Sequence, residues 1–522
     1  RGHIDTFNMM VVGKYFESVD DFMNVEMVNK RYRCLTGMYR YNPITLNDEK
    51  SRMMFSGIET QHLYNRNDKM WKNGQIKGHV YWYPVSYKGY KEYKGENDEY
   101  KIIEYMDFDR REYGNDIPEC VSALGKSCFQ WCSSLSSISI PSSVSAIGDC
   151  CFSECTSLSS ISIPSSVSEL GNRCFSGCSS LSSISITSSV SVIGDGCFKG
   201  CKSLTSISIP SSVSLIGAEC FNGCTNLADF VIDPLNAYYS AEDGVVFNKS
   251  MDVIITYIGP AERTSYTIPS TVSALGNDCF NGCTSLTSIS IPSTVSELGK
   301  SCFYHCSSLS SISIPSSVSV IGNDCFRGCT SLSSINIPSS VSELGDDCFS
   351  GCRSLSSISI PSSISLIGAR CFNGCTSLTS ITIPSTVSVI GDGCFNVCSS
   401  LSSISIPSSI SVLGFCCFWG CTSLTSISIP STVSELGKSC FYHCSSLSSI
   451  TIPSSVTELG KSCFYDCSSL SSISIPSSIS VIGKKCFWSC ASLTSVSVPL
   501  SVIVIGDDCF SECSTMTSLT IP

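Results

Sequence analysis

The sequence predicts an α/β solenoid, because one short motif recurs at a fixed interval through most of the 522 residues. The interval is 23 residues and is visible in the spacing of Pro118, Pro141 and Pro164. Five regular units precede one interruption, and eleven follow it in step up to Pro522. A repeat of this length indicates coils that stack on one another, since each coil is too small to bury its own apolar face.

The first element of each unit is predicted as a β-strand. In one unit, Leu135, Ile138 and Ile140 are separated by small polar residues. Alternation with a period of two places the apolar side chains on the inward face of a strand and the polar ones outward. Pro141 then ends the strand, because it has no N–H to donate and its φ angle is fixed.

The rest of the unit is predicted as a turn, an extended segment and a short helix. Val144 and Ile147 supply the next inward pair, and Gly148 holds a position that is glycine in every regular unit. This glycine indicates either a positive φ angle or a close approach of two backbones. Cys151 and Cys155 are four residues apart, which would place both on one face of a short helical turn.

The repeated phrase Cys-Phe-x-x-Cys-x-x-Leu-x-x-Ile-x-Ile-Pro-Ser-Ser-Val-x-x-Ile-Gly resembles the BspA-like leucine-rich repeat family of bacterial and anaerobic-protist proteins. The resemblance covers residues 117–522, although the first cysteine position is more often alanine in bacterial members. It implies a leucine-rich repeat rod with one parallel β-sheet face and short helical turns on the opposite face. It also implies a surface or interaction protein, often adhesive, with no catalytic site.

Two domains are expected, an N-terminal cap over residues 1–116 and the repeat array over residues 117–522. The cap has no repeat, and its helical periodicity predicts a small, mainly α region. The array is interrupted at about 226–268 by a longer repeat. There, residues 239–249 predict a β-hairpin with Asp243 and Gly244 at its turn.

Charge and composition exclude several classes of function. Residues 1–117 contain 18 basic and 18 acidic residues, so the whole net charge of −11 lies in the array. Nucleic-acid binding needs a basic stripe, and none is present, so we expect no nucleic-acid partner. No apolar run is long enough to span a membrane and no signal peptide opens the sequence, so we expect no membrane insertion. No catalytic or nucleotide-binding motif occurs, which predicts a protein that is not an enzyme and needs no cofactor.

Thirty-two of the 36 cysteines fall in sixteen pairs at the two repeat positions. We expect them to stack as small buried side chains in two ladders, with disulfides between coils and metal binding as less favoured alternatives. Free thiols in this number favour a reducing compartment such as the cytoplasm. The family resemblance favours the cell surface instead, and the sequence leaves the localisation open between the two.

The outward side chains of the predicted strands are the candidate binding site. They form a long uncharged grid of hydroxyl groups, and a grid of near-identical positions would bind a repetitive protein or glycan ligand weakly at each coil and strongly by avidity. Two alternatives are specificity on the opposite face, where residues such as Lys484 and Lys485 vary, and a solvated sheet that reflects recent duplication. The candidate residues are Ser137, Ser139, Ser160, Ser162, Ser288, Ser290, Ser311, Ser313, Ser334 and Asn336.

Residues 9–33 read as two short amphipathic helices, with Ser18 as the cap of the second in capping-box fashion with Asp21. The segment resembles a degenerate F-box, which implies docking on a ubiquitin-ligase adaptor while the array presents substrate. The residues that would contact the adaptor are Phe16, Phe22, Val25 and Val28. The alternative is that these helices only cap the apolar end of the solenoid. At the other end, the last strand leaves an open edge, so self-association at the C-terminal coil is expected.

Two functions therefore remain. The first is a non-catalytic, multivalent protein-interaction scaffold, a surface binding protein of the adhesin type. The second is an intracellular F-box-like substrate adaptor of a ubiquitin ligase.

Overall fold

The structure, a computed structural model, describes residues 4–72, 74–259 and 262–521. It divides into two compact units. The first contains residues 1–204 and 215–217, and the second contains residues 205–214 and 218–522. Each unit is built from stacked coils whose backbones pair in parallel with the coil before and the coil after.

The first unit begins with a small helical region. Its helices are α1 (Thr6–Gly13), α2 (Val19–Val28) and α3 (Glu49–Met54), with 3₁₀ turns at Lys30–Tyr32 and Thr36–Met38. The predicted capping box of α2 is confirmed, since the Ser18 backbone N–H donates to the Asp21 carboxylate at 2.9 Å and the Asp21 N–H donates to Ser18 Oγ at 3.3 Å. These reciprocal bonds satisfy two of the free donors at the start of the helix.

Parallel strands already occur before the regular repeats. They run over Thr60–Leu63, Gly78–Tyr81, Val85–Ser86, Glu99–Tyr100 and Ile103–Tyr105, together with helices α4 (Tyr87–Tyr93) and α5 (Asp107–Tyr113). The region predicted as mainly α therefore contains strands as well. Glu104 pairs with Ala123 of the first regular coil, so parallel pairing runs across the expected domain boundary at residue 117. These coils have no repeat that is visible in the sequence, because their length is not constant.

The predicted strands of the array are confirmed, and neighbouring strands pair in parallel and in register. In the first unit they are Ser160–Ser162 and Ser183–Ser185. In the second unit they are Ser206–Ile209, Asp229–Ile232, Ser265–Thr267, Ser288–Ser290, Ser311–Ser313, Ser334–Asn336, Ser380–Thr382, Ser403–Ser405, Ser426–Ser428, Ser449–Thr451, Ser472–Ser474, Ser495–Ser497 and Ser518–Thr520. We call these the long-sheet strands.

The extended segment before each conserved glycine forms a two-residue strand, and these strands also pair in parallel from coil to coil. In the first unit these strands are Ala123–Leu124, Ala146–Ile147, Glu169–Leu170, Val192–Ile193 and Leu215–Ile216. In the second unit they are Ala274–Leu275, Glu297–Leu298, Val320–Ile321, Glu343–Leu344, Leu366–Ile367, Val389–Ile390, Val412–Leu413, Glu435–Leu436, Glu458–Leu459, Val481–Ile482 and Val504–Ile505. The sequence indicated only an extended piece here, because two residues are too few to show alternation.

The segment that contains the two cysteines of each repeat is a run of tight turns where a short helix was predicted. In the first regular coil, the N–H groups of Ser127, Phe129 and Trp131 donate to carbonyl groups of the next coil at 2.8–2.9 Å. An α-helix would use those N–H groups within the same segment. Ser127 and Trp131 adopt positive φ angles of 58° and 63°, which turn alternate N–H groups toward the neighbouring coil.

The conserved glycine is explained by a close approach of two backbones. A Cβ built on Gly148 would lie 2.9 Å from Lys126 N and 3.0 Å from Leu124 O of the preceding coil. Its φ angle lies outside the left-handed region. Of the two reasons that the sequence allowed for this glycine, the structure therefore selects the close approach.

The interior of the coils is a set of aligned apolar columns. Phe152 and Phe175 stack with ring centroids 5.5 Å apart and an angle of 2° between their planes, and both are fully buried. In the second unit the phenylalanine column continues in the same geometry, with Phe326 and Phe349 also 5.5 Å apart. Leucine, isoleucine and cysteine columns lie beside it in one core cluster. Stacking of like side chains lets each coil bury the face of its neighbour.

The interruption contains the predicted hairpin. Strands Tyr239–Glu242 and Val245–Asn248 pair antiparallel, with Glu242 opposite Val245. Asp243 and Gly244 form the turn with φ angles of 48° and 73°, the two positive values that a tight two-residue hairpin turn needs. A third strand, Val253–Tyr257, then returns the chain to parallel pairing with the next regular coil.

Candidate ligand-binding surface

The outward side chains of the long-sheet strands form the candidate site. In Ser160–Ser162 the central Ile161 is 7% exposed, whereas Ser160 and Ser162 are exposed. The strand geometry produces this arrangement, because successive side chains point to opposite faces. The same pattern of exposed, buried and exposed residues holds for Ser288–Ser290, Ser311–Ser313 and Ser334–Asn336.

The parallel register aligns these hydroxyl groups in columns. Ser183 pairs with Ser160, and Ser185 pairs with Ser162. In the second unit Ser311 pairs with Ser334. Neighbouring strands lie about 4.8 Å apart, so each column repeats its hydroxyl group at that spacing. We call these two columns in each unit the serine surface.

The structure places all ten predicted site residues on the exposed side of their coils. Eight of them belong to long-sheet strands, namely Ser160, Ser162, Ser288, Ser290, Ser311, Ser313, Ser334 and Asn336. Ser137 and Ser139 are exposed at the same positions of the first regular coil, where the chain is extended without being paired as a strand. Asn336 replaces a hydroxyl group by a carboxamide, which is also polar and uncharged. Asp229 and Val231 interrupt the two columns in the strand before the hairpin.

A third serine column lies beside the serine surface but has a structural role. Ser159 Oγ donates to Ser136 O at 3.3 Å, and Ser310 Oγ donates to Thr287 O at 3.4 Å, each one coil earlier. By contrast, none of the ten predicted site residues donates or accepts a side-chain hydrogen bond within residues 4–72, 74–259 and 262–521. The hydroxyl groups of the serine surface are therefore available to a ligand.

Sequence reasoning did not separate the anchored serines from the free ones. Both occur in the phrase Leu-Ser-Ser-Ile-Ser, and the residue type is the same. The signal that could separate them is position, because the anchored serine directly precedes the strand and lies next to a carbonyl group of the coil before it.

The thiol groups lie inside the coils. All 36 cysteines, which lie within the described ranges, are unbridged. In most pairs the second thiol donates to a phenylalanine carbonyl of the preceding coil, as Cys155 does to Phe129 O at 3.0 Å and Cys375 to Phe349 O at 3.2 Å. Burial raises the pKa of both Cys155 and Cys375 to about 12, so these thiols stay protonated at neutral pH.

Two further findings bear on chemistry. Among residues 4–72, 74–259 and 262–521, no group of three or more histidine, cysteine, aspartate or glutamate side chains could hold a metal ion. Over the same described part of the chain, no helix has both the length and the apolar character needed to cross a membrane.

The N-terminal candidate residues divide between core and surface. Phe22 is fully buried and packs edge-on against Phe55 at 5.1 Å, while Phe16 and Val25 are half-buried against the same cluster. Val28 is 87% exposed. The structure therefore places Phe22 where it supports the helices, and of the four candidates it leaves Val28 free to contact a partner.

Other exposed apolar residues of this region were missed by the sequence analysis. Phe7 and Val11 of α1 are 73% and 44% exposed, and Tyr15, just after α1, is 83% exposed. The spacing of four residues puts Phe7 and Val11 on one side of α1. That spacing was visible in the sequence, but Phe7 lies before residues 9–33, to which the F-box resemblance was limited.

Stacked coils with a parallel sheet, an aliphatic and phenylalanine interior, and a polar outward face define a leucine-rich repeat protein. The family described as BspA type Leucine rich repeat region matches residues 116–240, 261–378, 297–424, 342–466 and 411–522, with six copies. The chain belongs to this family. A comparison with curated proteins found no match.

Solved structures of bacterial leucine-rich repeat proteins resemble the chain. One from Bacteroides ovatus is 30% identical, covering 74% of this chain and 93% of its own, with a TM-score of 0.47. One from Eubacterium ventriosum is 24% identical and covers 62% and 82%, with a TM-score of 0.44. A leucine-rich cell surface protein from Faecalibacterium prausnitzii is 28% identical with the same coverage and a TM-score of 0.43.

Proposed function

We propose that the protein is a non-catalytic, multivalent binding scaffold, and that the serine surface binds a protein or glycan ligand that is itself repetitive. Membership of a leucine-rich repeat family supports a role in protein interaction. The single observation that carries the proposal is the contrast between the free hydroxyl groups of the serine surface and the anchored serines directly beside them.

The chemistry of the surface suits such a ligand. Each coil offers two uncharged hydroxyl groups, and each hydroxyl can both donate and accept a hydrogen bond. A single coil would bind weakly, because a hydrogen bond to an exposed hydroxyl replaces one made to water. A ligand that repeats in step with the coils would gain affinity at every further coil without any new kind of contact.

The proposal places the protein at the cell surface as a binding protein of the adhesin type. Support for this comes from the family resemblance, while the unbridged cysteines favour a reducing compartment such as the cytoplasm. Labelling of intact cells with a reagent that does not cross membranes decides between the two locations. Labelled protein is expected, and its absence from the labelled fraction would favour the cytoplasmic alternative.

The binding test is a screen of extracellular matrix proteins and glycans, followed by variants of the serine surface. One, two and then three neighbouring coils are changed by replacing pairs such as Ser311 and Ser313 with alanine. The logarithm of the affinity is expected to fall with each added coil. The matched control replaces Val320, which is 48% exposed on the two-residue strand of the same coil, with alanine.

Two results would contradict the proposal. The first is a screen hit whose affinity is unchanged when all three coils of the serine surface are altered. The second is an equal loss from the control substitution on the two-residue strands.

A second candidate function is the F-box-like adaptor, and the exposed apolar side of α1 favours it. Phe7 and Val11 form a stripe on α1, the exposed Tyr15 follows the helix, and the exposed Val28 of α2 belongs to the same helical region. Exposed apolar patches of this kind mark interaction sites. Under this alternative the stripe docks on a ubiquitin-ligase adaptor, and Phe16, Phe22 and Val25 hold the two helices in place.

Co-purification from cells that contain the ligase adaptor tests this alternative. Phe7→Asp and Val28→Asp are expected to abolish the association without unfolding the region, because both side chains are exposed. Met53→Asp is the control, since Met53 is also exposed, at 76%, but lies on α3. Retention of the adaptor by both α1 and α2 variants would remove the alternative.

A further inference from the structure

Four consecutive coils of the second unit carry an aromatic residue directly after the interior phenylalanine. These residues are Trp419, Tyr442, Tyr465 and Trp488, and all four are half-buried. Their ring centroids lie 5.6, 4.4 and 4.4 Å apart in order, with interplanar angles of 15°, 4° and 14°. We call this stack the aromatic ridge. At this position most other coils carry a polar residue, such as Ser350 or Asn373.

The stacking decides which part of the rings a ligand can reach. Both faces of Tyr442 and of Tyr465 are covered by neighbouring rings, so the exposed portion of each ring is its edge. The edge of an aromatic ring carries positive electrostatic potential, whereas the face carries negative potential. The phenol and indole groups add O–H and N–H donors along the ridge.

Lysines occur in the same coils. Lys438, Lys461 and Lys484 directly follow the conserved glycine in three successive coils, and Lys485 follows in the last of them. Within the described residues, Lys438, Lys461 and Lys485 have no ion-pair partner, while Lys484 lies 3.4 Å from Asp507. An array with a net charge of −11 thus carries its successive lysines where its aromatic residues stack.

A side chain two residues after the conserved glycine can reach the ridge position. In an earlier coil, Arg327 occupies the ridge position and Asp324 occupies the position of Lys485, and the two form an ion pair at 3.0 Å. Lys485 holds the position of Asp324 in the coil of Trp488, so its side chain has the same reach toward the ridge position.

The acidic side chains of these coils are either paired or on another face. Asp466, next to Tyr465, accepts a hydrogen bond from His443 Nδ1 at 2.6 Å. Glu435 and Glu458 are outward residues of the two-residue strands. The ridge and its lysines therefore present hydrogen-bond donors and positive charge.

We propose that the aromatic ridge and its lysines bind an acidic segment of a partner protein. Carboxylates are attracted both by the lysine amines and by the positive ring edges, and they accept hydrogen bonds from the phenol and indole donors. Tryptophan and tyrosine are also the residues that most often carry binding energy in protein interfaces. This site is separate from the serine surface and does not depend on the function proposed for it.

The geometry favours an acidic polypeptide over a single-stranded nucleic acid or a neutral glycan. Single-stranded nucleic acids bind by stacking their bases on open aromatic faces, and sugars pack on the same faces. In the ridge both faces of the two tyrosines and one face of each tryptophan are closed by the neighbouring rings. Edges and amines remain, and these suit carboxylates.

The chain contains its own control for this site. Residues 300–306 and 438–444 have the identical sequence Lys-Ser-Cys-Phe-Tyr-His-Cys. Tyr442 is stacked in the ridge, whereas Tyr304 is flanked at its position by Asn281 and by Arg327, whose guanidinium lies 5.8 Å from the Tyr304 ring centroid. The same residue therefore stands once inside and once outside an aromatic ridge.

The experiment measures binding of fluorescein-labelled oligoglutamate to the full chain by fluorescence anisotropy at low salt. Two ridge variants are compared, Tyr442→Ala with Lys438→Glu, and Tyr465→Ala with Lys461→Glu. The control variant is Tyr304→Ala with Lys300→Glu. Circular dichroism checks that each variant is folded.

Each ridge variant is expected to weaken oligoglutamate binding about tenfold or more, and the control variant to leave it unchanged. Added salt should also weaken the binding, because exposed charges are screened. Three results would overturn the proposal: no binding of oligoglutamate, equal weakening by the control variant, or tighter ridge-dependent binding of oligothymidylate or a neutral oligosaccharide.

Discussion

The interior columns and the serine surface are two sides of the same coils, and both repeat with little change. In the interior, Phe349 is fully buried and stacked between Phe326 and Phe372 at 5.5 and 5.6 Å. On the serine surface, Ser311 and Ser334 are aligned but have no side-chain hydrogen bond within the described residues. Packing therefore explains why the interior repeats, but it does not explain why the surface does.

This difference separates stability from binding along the whole array. A side chain that touches its counterpart in the next coil cannot change in one coil without disturbing two neighbours. A side chain that touches only water is free to vary. The uniform serines are therefore the part of the chain for which stability gives no reason, and the following predictions test that separation.

The largest expected effect comes from the interior thiols at alkaline pH. Burial raises the pKa of Cys375, Cys417 and Cys463 to about 12, from an ordinary value of 9.0. Since the folded state holds these protons more tightly, stability is full below pH 9 and falls as pH rises through the folded pKa, by up to about 1.4 kcal/mol per pH unit and thiol. The array is expected to unfold between pH 9 and 12. Circular dichroism measures the loss of folded structure across this pH range.

Tyrosines and lysines also titrate in this pH range, so the thiols need a control. Alanine at Cys352, Cys375 and Cys398 together removes three consecutive thiols of one column. This variant should be less stable at pH 7 and should lose less stability on going to pH 11 than the unmodified chain does. An identical pH profile would show that the thiols are not the groups responsible.

The next largest effect is expected from a single interior ring. Phe349→Ala removes a fully buried side chain and both of its stacking contacts, so it should lower the free energy of unfolding by about 3–5 kcal/mol. Urea denaturation measures the change, and hydrogen exchange locates it to the neighbouring coils. Ser357→Ala, on the outward face of the same coil, should change stability by less than about 0.5 kcal/mol. Equal losses would remove the distinction between interior and surface.

A structural element could be predicted from the sequence where its residues form a pattern that no other element produces. Alternation in Ile161 and its neighbours indicated the strands and their inward faces correctly, and Asp243-Gly244 indicated the hairpin turn. The spacing of Cys151 and Cys155 fits a helix as well as a run of turns. Hydrogen bonds to the next coil, such as that from Phe129 N to Cys151 O, favour the run of turns over the helix. These bonds cannot be predicted from the sequence of a single unit.

The same reasoning applies to the early coils and to the candidate site. Strands such as Gly78–Tyr81 and Ile103–Tyr105 pair in parallel without any constant interval, so nothing marked them as coils. The outward serine positions were predicted from alternation, and the structure finds them exposed. Which serines are anchored was not predictable, because Ser310 and Ser311 differ only in the carbonyl groups near them.

A conserved glycine should give a smaller but still clear effect. A Cβ on Gly391 would lie 2.3 Å from Ala369 N and 2.6 Å from Ala369 Cα, both backbone atoms that cannot move aside. Gly391→Ala is therefore expected to lower the free energy of unfolding by about 3 kcal/mol, as measured by urea denaturation. Gly393→Ala is the control, because its nearest neighbour is the flexible Arg370 side chain at 3.3 Å and other coils place a side chain at this φ angle. The control substitution should lower the free energy of unfolding by about 1 kcal/mol.

The smallest effect, and the one that bears most on function, is expected from two adjacent serines. Ser310→Ala removes a hydrogen bond to Thr287 O and should cost about 0.5–1 kcal/mol, whereas Ser311→Ala should leave the free energy of unfolding within about 0.5 kcal/mol of its original value. Because one substitution is too small to measure well, each is made in five coils and the sums are compared by urea denaturation. If the Ser311 set destabilised the array as much as the Ser310 set, folding alone would account for the serines, and binding would no longer be needed to explain them.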